Sequence, residues 1–138
     1  MTPGCIILAR VQQSDGRLKT RPAVILSLLP PFNDLLICGV SSKLRQEVAG
    51  FDDLLVTTHP DFAASGLKVD SLIRLGLLAT VPATAVIGEL GSIPQERLSR
   101  LLRRLADHLS MPPPLNRDSM VPEEDLREPE PPPVPPTP

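Results

Sequence analysis

Gly16-Arg17-Leu18-Lys19-Thr20-Arg21-Pro22 sets three cations in a short polar segment that runs straight into the apolar Ala23-Val24-Ile25-Leu26-Ser27. Lys19 and Arg21 are two apart, so in extended chain they point the same way. Pro22 fixes its own φ and pushes Arg21 into an extended conformation. A guanidinium held this way at the entry of a strand suits a phosphate, because its planar fork stays charged at physiological pH. The plainer reading of the same residues is a basic turn leading into a buried strand.

A second constellation is Val40-Ser41-Ser42-Lys43-Leu44-Arg45, where two hydroxyls end an apolar run and two cations follow on alternate positions. Small hydroxyls at a strand end donate to phosphate oxygens, and nearby cations hold the negative charge. Its plainer reading is a polar turn. Other chemistries find no support. Cys5 and Cys38 sit in apolar runs as expected core thiols, and His59 and His108 are isolated, so no metal site is expected. Asp52-Asp53 reads as a solvated loop end, since adjacent strand residues face opposite ways.

The elements that must carry these residues are strands followed by one helix. Strands are expected at 5–11, 22–29, 35–40, 53–57 and 70–75, with 77–82 following a kink at Gly76 and a short strand at 85–88. Pro30-Pro31-Phe32-Asn33-Asp34 reads as a turn, and 58–68 as a loop. The runs are almost wholly apolar, which implies strands covered on both faces or curled around a small core. Then the period changes. Ser92 and Gln95 form a capping-box pattern, and Leu98, Leu101, Leu102, Leu105 and Leu109 draw one apolar stripe down a helix ending near Ser110. Each leucine that buries fully contributes about 1.5–3 kcal/mol. Arg97, Arg100, Arg103 and Arg104 are expected on a solvated face.

Composition divides the chain at about residue 111. Eleven of the 18 prolines lie in 112–138, which carries two basic residues against six acidic ones. The expectation there is a disordered, Pro-rich acidic tail, with too few apolar side chains to offset ordering entropy. Residues 1–111 hold twelve basic and ten acidic side chains, a mildly basic domain compatible with a polyanion partner. The tail could compete for that partner by folding back across the basic segment; a solvated extension is the plainer reading. No apolar run reaches the roughly 18 residues of a membrane span, and the N-terminus lacks a signal-peptide pattern, so a cytoplasmic protein without a membrane role is expected. Several short strands closed by one helix suggest a mainly β (α+β) fold, a small, strongly bent barrel with a C-terminal amphipathic helix.

Taken in order, Gly4-Cys5-Ile6-Ile7-Leu8, Arg21-Pro22-Ala23-Val24-Ile25-Leu26-Ser27, Val40-Ser41-Ser42, Asp70-Ser71-Leu72-Ile73 and the helix from Ser92 resemble the MazF/PemK family of toxin ribonucleases over residues 3–109. The resemblance implies an SH3-like barrel and a homodimer. It also implies metal-independent cleavage of single-stranded RNA, no cofactor, and a cognate antitoxin whose acidic segment covers the RNA site. By position it makes Arg21 and Ser41 catalytic, with Arg17, Lys19, Ser42 and Lys43 binding substrate. Departures are the lack of a carboxylate nearer than Asp15 before Arg21-Pro22, apolar Gly76-Leu77-Leu78-Ala79 where relatives carry a polar residue, and the absence of Trp and Tyr. Two other functions use such a barrel. One is a gyrase-trapping toxin of the CcdB kind, against which Arg21-Pro22 argues; the other is an inactive antitoxin-binding module.

Overall fold

The computed structural model describes residues 1–12 and 14–111, so the expected tail at 112–138 lies outside the described residues. Six strands form: β1 (Cys5–Gln12), β2 (Leu18–Leu29), β3 (Asp34–Ser41), β4 (Asp53–Leu55), β5 (Ser71–Val81) and β6 (Val86–Ser92). They pair antiparallel in the order β4-β5-β3-β2-β1-β6. Two helices follow the strands they close: α1 (Phe62–Ser65) and α2 (Gln95–Ser110). The expected mainly β class with a C-terminal helix is what forms.

The barrel is not closed, since β4 and β6 stay unpaired along their outer sides. The sheet curls far enough for α1, which follows one edge strand, to rest on the other. A Cβ at Gly91 of β6 would overlap the carbonyl of Ala64, and one at Gly66 would overlap the carbonyl of Leu90. Gly66 also caps α1 at φ 71°, a left-handed conformation that glycine adopts without penalty. The segment expected as a loop at 58–68 therefore contains this short helix.

Neighbouring residues along each strand divide between two cores, as the pleat requires. Ile6, Val24, Cys38, Val40, Ile73 and Leu75 pack beneath Leu98, Leu101 and Leu105 of α2. Ile7, Ala9, Ala23, Ile25, Ile37 and Val81 form the second cluster on the other face. The apolar runs Ile6-Ile7, Val24-Ile25 and Ile37-Cys38 thus serve both faces, which is why alternation is missing from the sequence. The helical stripe stops one turn early, because Leu109 is 72% exposed.

Three expectations about charged and polar residues are corrected. The arginines of α2 do not form a solvated face: Arg97 is buried and donates to Asp53 and Asp61, while Arg100 and Arg104 also reach Asp53; Arg103 is exposed. Asp52 and Asp53 are correspondingly buried rather than solvated. Asp52 accepts from the backbone N–H of Val48 (2.9 Å) and of Leu75 (3.2 Å), tying the chain before β4 to β5. A buried carboxylate survives only with such partners. Finally, α2 begins at Gln95 with Pro94 as its cap residue and no side-chain capping bond, so Ser92 stays in β6. Pro94 needs no partner for an N–H it lacks.

Candidate active site

Lys19 and Arg21 lie within β2, not in a loop before it, because the strand starts at Leu18. Pro22 has no N–H to give to a ladder, and the β2–β3 pairing stops one residue later, at Ala23 opposite Gly39. Continuing that register by two residues sets Arg21 beside Ser41, on the same face and past the last paired residues. The gap left between the strand ends is part of a cleft of about 440 Å3, and Arg21 and Ser41 both line it. Both are half-buried.

The Ser41 hydroxyl oxygen accepts the backbone N–H of Lys43 at 3.0 Å. Its oxygen is thereby fixed, and its own proton is what it has to offer a ligand. Lys43 lines the cleft with it. Arg17, Lys19 and Ser42, expected to bind substrate, are exposed and do not line the cleft. Lys19 pairs across the sheet with Val11, a lining residue, so it stands at the rim on the cleft's face. Arg17 sits in the β1–β2 turn, where Asp15 accepts its backbone N–H at 2.9 Å.

Sequence reasoning missed Arg74 and Gln46. Both line the cleft, and the Arg74 guanidinium donates to Oε1 of Gln46 at 2.9 Å. Gln46 stands on a single 3₁₀ turn, Leu44–Gln46, just after β3. The available signal was one charge interrupting an apolar strand, Leu72-Ile73-Arg74-Leu75. The β3–β5 register then jumps: Gly39 faces Arg74, but Cys38 faces Leu78. Leu75, Gly76 and Leu77 are extra residues at that step, a bulge at the place where Gly76 suggested a kink. It brings Leu77 over Gly39, and Leu77, Leu78, Ala79 and Ile37 supply an aliphatic floor.

The cleft's charge is one-sided. Arg21, Lys43 and Arg74 line it, and among the described residues that line it none is a carboxylate or a histidine. Cys38 is no nucleophile for it, since burial pushes the thiol up to about 12. Among the described residues no three of His, Cys, Asp and Glu gather as a metal-ligand group, and no helix is long and apolar enough to cross a membrane. A cationic concavity with one positioned hydroxyl and a short apolar floor fits a polyanion that also carries an apolar ring.

Comparison with known proteins decides the family. The profile of the PemK-like, MazF-like toxins of type II toxin–antitoxin systems matches residues 2–109. This chain belongs to the PemK/MazF-like toxin family. Among solved structures it is similar to the Mycobacterium tuberculosis toxin MazF-mt6, at 16% identity and a TM-score of 0.58 over 78% of this chain and 98% of that one. MazF from Deinococcus radiodurans is 18% identical, with a TM-score of 0.58 over 80% and 97% of the two chains. An endoribonuclease in complex with its cognate antitoxin, from a mycobacterial species, is 12% identical, with a TM-score of 0.59 over 83% and 99%. No curated protein matches the sequence. At these identities the solved structures speak for the fold of this PemK/MazF-like chain, and the profile match carries the family. The match spans every strand and nearly the whole of α2, so the cleft lies wholly within the family's domain.

Proposed function

We propose that this PemK/MazF-like toxin is an endoribonuclease that cuts single-stranded RNA at the cleft between β2, β3 and β5, with Arg21 and Ser41 as its catalytic residues. The observation that carries the reading is the shared placement of Arg21 and Ser41 in one cationic cavity. In the reaction the 2′-oxygen attacks the adjacent phosphorus and the P–O5′ bond breaks. The products are a cyclic phosphate and a free 5′-hydroxyl; the proton of the 2′-OH passes to solvent, and the leaving oxygen takes one from it. Negative charge builds on the phosphoryl oxygens as the bond to phosphorus forms. The Arg21 guanidinium and the Ser41 O–H meet that charge, each donor of this kind contributing about 2.7–4 kcal/mol to lowering the barrier. DNA lacks the attacking hydroxyl and is spared.

Lys43 at the cleft, Lys19 at its rim and Arg17 beyond it would hold flanking phosphates, with Ser42 adding a hydroxyl. No step needs a metal or a cofactor. The expected partner is a cognate antitoxin presenting carboxylates to the cleft, as one similar structure is an endoribonuclease with its cognate antitoxin. A homodimer and a cytoplasmic location complete the reading. The test is to incubate purified protein with one defined RNA in EDTA and map new 5′-hydroxyl ends. Cutting at a few sites by the wild type, and none by Arg21→Ala, is expected. Equal cutting by both proteins would remove the assignment.

A further inference from the structure

Arg74 differs from the arginines that α2 turns toward the sheet. Arg97, Arg100 and Arg104 share the Asp53 carboxylate, whereas Arg74 makes no ion pair among the described residues. Its partner is the neutral amide of Gln46, and its Nε is buried with no hydrogen-bond partner among the described residues. A cation held by a neutral brace keeps its whole charge for a ligand. Leaving it without a counter-ion is unfavourable, so an anion that enters removes a penalty as well as adding a contact.

Its position is as informative as its charge. Ser41 faces Leu72 on β5, so Arg74, two residues on, is the diagonal neighbour of Ser41, about 7–8 Å away backbone to backbone. Directly opposite Arg74 is Gly39, whose missing side chain leaves room for Leu77 of the aliphatic floor to pack there. Arg21 and Ser41 therefore occupy one row and Arg74 the next. We propose that Arg74, braced by Gln46, is a substrate-binding residue that seats the phosphate next to the scissile one, an inference that rests on the RNA reading above. The aliphatic floor of Leu77, Leu78 and Ala79 lies beside that seat and receives the intervening base by contact rather than by aromatic stacking.

The experiment measures binding of a 2′-O-methyl oligoribonucleotide, which cannot be cut, to the full chain by fluorescence anisotropy between 50 and 200 mM salt. Arg74→Ala is expected to bind about tenfold more weakly, and the slope of log affinity against log salt should fall by about 0.7, the value for one phosphate contact on a single strand. Arg74→Lys should keep the slope while losing affinity, because the charge remains and the fork is lost. Gln46→Ala should weaken binding by a smaller factor at unchanged slope. If Arg74→Ala fails to fold by circular dichroism, Arg74→Met takes its place. Wild-type binding with an unchanged affinity and slope in the variant overturns the role of Arg74 and leaves the RNA reading intact. Weaker binding of a polyglutamate peptide alone would reassign Arg74 to a protein carboxylate and also overturn it. Failure of the wild type to bind or cut RNA removes the parent reading instead.

Discussion

From the first turn of α2, the Arg97 guanidinium donates to the Asp53 carboxylate, joining positions 44 residues apart in the chain. Arg97 is 4% exposed and Asp53 6%. The same guanidinium reaches Asp61 at 3.2 Å and the Leu54 carbonyl at 3.3 Å, so one side chain gathers β4, the start of α1 and α2. Packing by Leu98, Leu101 and Leu105 presses the helix on the sheet, and this pair sets where along the sheet it lies.

Removing one member leaves a buried charge without its partner. Arg97→Ala is expected to destabilise the fold by about 3–5 kcal/mol, measured by urea denaturation. Replacing both members, Arg97→Met with Asp53→Leu, should restore much of that loss, since an apolar pair carries no desolvation penalty. Arg100 and Arg104, which are more exposed, are free to turn to solvent in the double variant. An Arg97→Ala protein as stable as wild type would show that the pair contributes nothing.

Cys38 supplies a chemical and a pH-dependent prediction. Its thiol is pushed from 9.0 to about 12, first by burial and then by the Asp52 charge, against hydrogen bonding that lowers it. At pH 8 iodoacetamide should modify Cys38 about a thousandfold more slowly in the folded chain than in urea, because the thiolate is the reactive form. Half-buried Cys5 provides the internal comparison, read by mass spectrometry. The stability effect has a definite sign. The unfolded thiol ionises above about 9 while the folded one keeps its proton, so the unfolded state binds fewer protons and stability falls as pH rises from 9 toward 12. The expected slope approaches about 1.4 kcal/mol per pH unit. Alkylation of native Cys38 as fast as Cys5 would contradict its burial.

How far these relationships were legible in the sequence depends on the range of the interaction. β1, β3 and α2 were readable because their apolar runs and helical stripe are local patterns. The resemblance set Arg21 and Ser41 at one site, and both line the cleft, although each motif alone read as a basic or polar turn. The pairing of Asp53 with Arg97 was not legible, because nothing local distinguishes a carboxylate awaiting a distant arginine from one facing water. A row of four arginines on a helix carries the same ambiguity, and only Arg103 kept the solvated role. Arg74 entered the cleft through a bulge in the β3–β5 register, and a register shift leaves no more trace than the glycine beside it. Ser92 looked like a cap by spacing, yet β6 pairing with Cys5 held it in the sheet.

Gly39 tests the shape of the cleft rather than its charge. A Cβ there would stand 3.1 Å from Cβ and Cδ1 of Leu77, closer than side chains ordinarily pack. Leu77 is 41% exposed and has room to give way. Gly39→Ala should therefore change the melting temperature little while lowering kcat/KM for RNA about ten- to a hundredfold, the scale of a substrate displaced by about 1 Å. A large loss of stability with normal specific activity would place Gly39 in the core instead of the cleft.

The absence of any carboxylate or histidine among the described residues lining the cleft makes a last prediction, about pH. An enzyme with a general base and a general acid shows a bell-shaped profile set by their two pKa values. On the proposed reading Arg21 and Ser41 stabilise charge only, and the 2′-OH gives its proton to hydroxide. The fraction of attacking alkoxide then rises about tenfold per pH unit, and kcat should climb nearly as steeply from pH 6 to 8 with no plateau. Arg21→Ala should lower the line by about a hundred- to a thousandfold without changing its slope, because removing an electrostatic donor alters the barrier and not the protonation step. Single-turnover cleavage of one RNA across buffers of constant ionic strength measures both. A plateau or downturn between pH 6 and 8 would require a titrating group in contact with the RNA, and would exclude a site that works by charge stabilisation alone.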